Sequence, residues 1–212
     1  MKDLQVIDHP VASSCLKVLR NKDTSIKDFR NAMNRLGVLL AVEATRELQT
    51  LEDTVITPLE TEASCEYIDD NRVLIVPILR AGLGLVESFL SILPAAQVGH
   101  IGVYRDHDTL EAKPYLNTTP GATPDFNHVL VLDPMLATGN SGVKALDFLM
   151  EKGYAPDKVI FICTLATEQG INQIHTKYPQ IKIITAAIDP KLNEKAYIVP
   201  GLGDAGDRLY LS

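Results

Sequence analysis

Tryptophan is absent from the 212 residues, cysteine occurs only three times, and no apolar run approaches the about 18 residues of a membrane span. Each shortage excludes something. Cys15, Cys65 and Cys163 are odd in number, widely spaced and without a Cys-x-x-Cys pair, which argues against a disulfide framework or a cysteine zinc site; reduced thiols are expected. The five histidines show neither His-x-x-x-His nor His-Glu-x-x-His spacing, so no histidine-built metal site is expected. Positive charge is also short, with 20 Lys and Arg against 27 Asp and Glu, a formal charge of −7. Such a surface repels polyanions as a whole, so no nucleic-acid partner is expected and any anionic ligand needs a local site. The opening residues MKDLQVIDHP carry Asp3 and Asp8 and no apolar stretch of signal-peptide length, which predicts a cytoplasmic protein with no membrane partner. Low-complexity tracts and internal repeats are missing too. The hydrophobic share of 46% and charged share of 22% suit one globular domain over 1–212, with a helical segment to about residue 50 and a C-terminal segment from about 189 as parts of it.

What is present alternates. From Ser25 a Ser-x-x-Asp start precedes Ile26, Phe29, Met33, Leu36 and Leu40 at three- and four-residue steps, which predicts an amphipathic helix to about Leu48. Five short apolar runs follow at 72–79, 98–104, 128–132, 158–165 and 181–188, several rich in Val and Ile. Continuous rather than alternating hydrophobicity marks strands buried on both faces, the signature of a parallel sheet. Helix-like segments at about 84–93, 141–152 and 168–177 separate them, so the expected fold is α/β, a central mostly parallel sheet flanked by helices. Two segments stand outside the alternation. Arg105–Asn127, with three prolines, reads as a long functional loop or lid, and the tail from Asp189 lies where open α/β sheets bind ligands.

Three strand ends carry chemistry. VLVLDPMLATGNS (129–141) ends a buried strand on Asp133 and then offers Ala137, Thr138, Gly139, Asn140 and Ser141, able to wrap as a nest of N–H groups into a helix N-terminus. That loop suits a phosphate, and Asp133 suits two adjacent hydroxyls of an attached sugar. An ordinary strand, turn and capped helix is the other reading these residues allow. No Gly-Lys-Ser/Thr and no Gly-x-Gly-x-x-Gly is present there, which removes the Walker and dinucleotide readings. VPILRAGLGL (76–85) puts Arg80 at the same edge, where it could clamp a pyrophosphate, and Arg105 follows the strand at 98–104 in the same way. Taken alone, each arginine reads more readily as a surface salt bridge. YIVPGLGDAGD (197–207) holds three glycines whose exposed peptide groups could read a flat polar heterocycle, or form a tight structural corner.

Together, VPILRAGLGL, VLVLDPMLATGNS and YIVPGLGDAGDR resemble the uracil phosphoribosyltransferase family, within the type I phosphoribosyltransferases; HP, LRNKDTSIKDFR and EATREL extend the likeness over nearly the whole chain. The resemblance implies the type I fold with a hood formed by the N- and C-terminal segments. It implies transfer of a 5-phosphoribosyl group from phosphoribosyl pyrophosphate (PRPP) to N1 of uracil with Mg²⁺ as cofactor. It makes Arg80, Arg105 and Asp204 catalytic and assigns PRPP to Arg80, Arg105, Asp204 and the run Asp133, Pro134, Met135, Leu136, Ala137, Thr138, Gly139, Asn140 and Ser141. Uracil falls to Ile198, Gly203, Asp204 and Ala205, with the metal carried mainly on PRPP and touching Asp204. GTP as an effector and a homodimer or larger homo-oligomer belong to the same expectation. The chain departs from the family pattern at Asn140, where a second glycine stands, and at Ser14 and Cys15, where His and Lys stand. If position 140 needed a positive φ, Asn would hold about 1 kcal/mol of strain and weaken PRPP binding. A regulatory protein that kept the fold without catalysis is the alternative.

Overall fold

The computed structural model describes residues 4–105, 112–123 and 126–211. In chain order, β1 (Leu4–Val6) leads to α1 (Pro10–Arg20) and α2 (Ile26–Thr45), then to a hairpin of β2 (Leu51–Ile56) and β3 (Glu62–Tyr67). There follow β4 (Val73–Leu79), α3 (Leu83–Ile92), β5 (Gln97–Val98), β6 (Ile101–Arg105), β7 (Ala112–Asn117) and β8 (His128–Leu132). The second half runs through β9 (Met135–Leu136), α4 (Asn140–Glu151), β10 (Val159–Thr167), α5 (Glu168–Lys177) and β11 (Lys182–Asp189). It ends with β12 (Lys191–Leu192), β13 (Ile198–Val199) and α6 (Ala205–Tyr210).

The main sheet has the order β1-β11-β10-β8-β4-β6-β7, with β5 beside β4 and β9 beside β10. All pairings are parallel except β6 with β7. The continuous apolar runs are explained by two cores, one on each face. Alternate residues Ile75, Leu130, Ile162 and Ile184 face α2 and α3, where Phe29, Met33, Leu36, Leu40 and Phe89 are fully buried. Their neighbours Leu74, Val129, Phe161 and Ile183 face α4 and α5 through Leu146, Leu149, Ile171 and Ile174. At roughly 1.5–3 kcal/mol per fully buried large side chain, these two layers hold the sheet.

The predicted strands and crossover helices lie where expected, within a few residues. Five elements depart from expectation. β1 adds an edge strand beside β11. Helix α1 forms because Pro10 occupies its first turn and His9 caps it, Nδ1 accepting from the Val11 N–H at 3.0 Å. Cys15 is buried in that helix, and Ser14 is exposed with its hydroxyl bonded to the Pro10 carbonyl. The β2–β3 hairpin is exposed along almost its whole length. Arg105–Asn127 is not a structureless lid: β7 lies within it, and the rest of that expectation at 106–111 and 124–125 lies outside the described residues.

The hood joins the two chain ends. Arg208 of α6 donates to the carbonyls of Leu202 (2.8 Å), Asn21 (2.7 Å) and Leu19, with its guanidinium 4.2 Å from the Phe29 ring centroid. Arg30 of α2 donates to the Leu209 carbonyl at 2.7 Å. Among the described residues no helix is long and apolar enough to cross a membrane.

Candidate active site

A cleft of about 810 Å³ opens at the carboxyl ends of β4, β6 and β8, roofed by the segment 194–206. This is where parallel α/β sheets present their loops to ligands. The cleft is lined by nine of the residues singled out above: Arg80, Asp133, Met135, Ala137, Ser141, Ile198, Gly203, Asp204 and Ala205.

The turn after β8 is built on the neighbouring strand. The Asp133 N–H donates to Ile162, and the Pro134 carbonyl accepts from both Thr164 and Leu165 at 3.0 Å. Pro134 and Leu136 are buried, and Leu136 packs in the α4–α5 core, so these two frame the loop without lining the cleft. The Thr167 hydroxyl donates to the Ala137 carbonyl at 2.7 Å and accepts from the Gly170 N–H at 3.0 Å, tying the loop to the start of α5. Gly139 then turns with φ +84°, and a Cβ there would lie 2.7 Å from Gln173 Cβ. Only glycine fits that position. Asn140 is the first residue of α4, and the non-glycine residues of positive φ among those described are Glu60 and Ala196. The strain expected at Asn140 is therefore absent, because the single glycine before it makes the turn. The N–H groups of Thr138, Gly139, Ser141 and Gly142 donate to nothing among the described residues, a set of donors at a helix N-terminus that suits an anion.

Asp133 sits half-buried at the edge of this loop. Burial pushes its carboxyl up to about 7, and the Met135 N–H, at 3.4 Å, offsets only part of that. Arg80 follows the cis peptide 79–80 and is exposed, with Nη2 3.2 Å from the Asp207 carboxylate. The turn beneath it is tight: a Cβ on Gly82 would meet the Leu132 carbonyl at 2.4 Å. The backbone of Arg105 ends β6 beside β4, while its side chain lies outside the described residues.

In the roof, Asp204 caps α6, Oδ1 accepting from the Asp207 N–H at 2.9 Å, and its carboxylate is exposed to the cleft. Ile198 and Ala205 have buried side chains, so what they offer the cleft is backbone. Sequence reasoning missed the fixing of this roof. Arg20 binds Asp189 through two bonds of 2.7 Å and the Gly201 carbonyl at 2.9 Å, while Asp189 accepts the Gly201 N–H at 2.8 Å. Burial would raise the Asp189 carboxyl, but Arg20 and that N–H outweigh it and hold it below the usual carboxylate range. The signal was available, because Asp189-Pro190 after an apolar strand repeats Asp133-Pro134. Tyr104, Tyr115 and Tyr197, which also line the cleft, were missed as well.

Among the described residues no group of three or more His, Cys, Asp or Glu converges on a metal site. The exposed carboxylate of Asp204 in the cleft suits Mg²⁺ carried on substrate phosphates and touched by one or two protein carboxylates.

The comparisons agree with this geometry. A family model described as uracil phosphoribosyltransferase matches residues 6–212. The uracil phosphoribosyltransferase of Streptococcus salivarius is 47% identical over 210 residues, covering 99% of each chain. Among solved structures, the AQ2163 protein of Aquifex aeolicus superposes with a TM-score of 0.90 at 34% identity, over 98% of this chain and 97% of that one. The adenine phosphoribosyltransferase of Trypanosoma brucei, at 14% identity, a TM-score of 0.57 and coverage of 92% and 88%, shares the fold alone. With a mostly parallel sheet, a hood made from both chain ends and a match from residue 6 to the last, the chain belongs to the uracil phosphoribosyltransferase family.

Proposed function

We propose that this chain transfers the 5-phosphoribosyl group of PRPP to N1 of uracil, forming UMP and pyrophosphate. The observation that carries the reading is one cleft shared by a cation (Arg80), a half-buried carboxylate (Asp133), a loop of N–H donors free among the described residues and a roof of glycine-rich backbone. In this reading the N–H groups of Thr138, Gly139, Ser141 and Gly142 and the Ser141 hydroxyl bind the 5′-phosphate, with Pro134, Met135 and Leu136 shaping the loop. Asp133 accepts from the two ribose hydroxyls. Arg80 and Arg105 bind the pyrophosphate, which Arg80 reaches by leaving Asp207, an exposed pairing worth at most about 1 kcal/mol. Backbone groups at Ile198, Gly203 and Ala205 read the edge of uracil, and a base with the wrong donor pattern leaves them unpaired.

Departure of pyrophosphate leaves an oxocarbenium-like C1, so the rate depends on stabilising the leaving charge and positioning N1, with no nucleophilic side chain. Asp204 would touch Mg²⁺ carried by PRPP; when bound, the ion neutralises charge on the leaving pyrophosphate. Cytoplasmic location and an effector role for GTP belong to the same proposal, resting on resemblance, and titrating GTP into the assay tests the latter. A homo-oligomer is supported by the β2–β3 hairpin, which leaves Ile56 63% and Leu59 86% exposed.

The test is UMP formation from uracil, PRPP and Mg²⁺ beside cytosine and purine bases. UMP formed from uracil alone is expected; no product from any base would favour the silent relative. Within the loop, Gly139→Ala is expected to raise the KM for PRPP by about tenfold or more, since it meets both a disfavoured φ and Gln173. Asn140→Gly should leave that KM within about threefold, because position 140 already has helical geometry and glycine changes only its intrinsic propensity. Steady-state kinetics on the two variants separates them.

A further inference from the structure

Two tyrosines face the cleft from the sheet edge opposite the phosphate loop, and the strand geometry aims one of them there. In the β6–β7 pairing, Gly102 lies opposite Leu116 and Val103 opposite Pro114, so Tyr115 is the extra residue of a β-bulge. A bulge breaks the alternation of a strand and re-aims the side chain it carries. The Tyr115 ring lies over Gly102, where any Cβ would stand 2.5 Å from ring atom Cζ. Tyr104 leans against it, ring centroids 6.3 Å apart at 46°. Both rings line the cleft, yet they are 49% and 54% exposed, and neither hydroxyl has a hydrogen bond among the described residues. An aromatic pair set with this much local geometry and left half in water has its partner elsewhere.

We infer that Tyr115, backed by Tyr104, is a substrate-contacting wall that keeps water from C1 of the ribose during transfer. The inference rests on the phosphoribosyl-transfer reading and deepens it. β6 and β7 lie on the Arg80 side of Asp133, where pyrophosphate would leave and open the ribose to solvent. An oxocarbenium-like C1 is as open to water as to N1. In the side reaction the C1–O bond to pyrophosphate breaks with its electron pair going to pyrophosphate. Water oxygen then bonds to C1 and loses one proton to solvent, giving ribose 5-phosphate and pyrophosphate. Enclosing the site with apolar surface suppresses such hydrolysis.

The experiment measures ribose 5-phosphate and UMP together, by chromatography, from PRPP, Mg²⁺ and saturating uracil. Tyr115→Ala and the double variant with Tyr104→Ala are expected to raise the ratio of ribose 5-phosphate to UMP by about tenfold, as expected where water exclusion is lost. Tyr115→Phe, which keeps the ring face, should stay within about twofold of the parent, since the wall needs no hydroxyl. Gly102→Ala provides a second route, displacing the ring without deleting it, and should shift the ratio in the same direction. A parent that makes UMP with an unchanged ratio in the alanine variants overturns the wall alone. A phenylalanine variant that behaves like alanine overturns it in favour of the hydroxyl. A parent that releases neither product overturns the transfer reading and the wall with it.

Discussion

Asp133→Asn is expected to abolish most activity and to make the free protein more stable at pH 8. The catalytic loss follows from two charge-assisted hydrogen bonds to the ribose hydroxyls; at roughly 1.5–3 kcal/mol each, kcat/KM for PRPP should fall by about 10² or more. The stability gain follows from the position of the carboxyl. Burial moves it from 3.8 up to about 7 in the folded chain. The folded state therefore binds more protons than the unfolded state between those values, and stability declines as pH rises through that window. Above about pH 7 the full penalty applies, of order 4 kcal/mol at 1.36 kcal/mol per unit; below about pH 4 it vanishes. Asparagine has no charge to bury and keeps an acceptor for the Met135 N–H. Thermal unfolding at pH 8 should show the variant several degrees above the parent, and the gap should close on acidification. An equal gap at both pH values would mean that charge burial is not its source. The same titration weakens PRPP binding by the parent as pH falls below about 7, and the Asn variant should lack that component.

The strands and crossover helices were legible because each is long, periodic and bounded by turns, and because burial on both faces writes an unbroken apolar run. The phosphate loop was legible for a related reason: Asp133, Thr138, Gly139 and Ser141 fall within one short stretch, 133–141, so their proximity costs little inference about the fold. Tyr115 was not, since its orientation depends on a one-residue shift against β6 that leaves no mark in Ala-Lys-Pro-Tyr-Leu-Asn itself. Helix α1 carries no commoner Ser or Asp at its start, which rests on a His9 cap instead. The roof of the cleft depends on partners 169 and 181 residues apart, which periodicity cannot connect. Asn140 shows the opposite error. Treating it as a strained turn residue placed the irregular backbone one position too late, because Gly139 alone takes the left-handed conformation.

Asp189→Asn should be the most destabilising of the proposed substitutions, and its kinetic effect should fall on uracil before PRPP. Asp189 is 4% exposed and anchors both the Arg20 guanidinium and the Gly201 N–H. Removing one partner of a buried pair costs about 3–5 kcal/mol, and the partial exposure of Arg20 places this case at the lower end. The turn so held contains Gly201 and carries the backbone from Ile198 to Gly203, so loosening it misplaces the proposed uracil contacts while the loop at 137–141 stays on its own scaffold. The KM for uracil should rise by about tenfold or more with the KM for PRPP changed by less than about threefold, the split expected when positioning is lost in one subsite. Arg20→Lys should be intermediate, since an ammonium keeps the charge without the fork that reaches Asp189 and Gly201 together. Equal increases in both constants would place the effect in the general fold. The pH dependence runs opposite to that of Asp133. Asp189 is held below 3.8, so its contribution is complete above that value and is lost only as pH falls through the lower folded one. Two Asp-Pro pairs after apolar strands thus diverge through their partners. One meets a guanidinium and holds the roof in place, and the other meets a single long N–H bond and retains a carboxylate for the ligand.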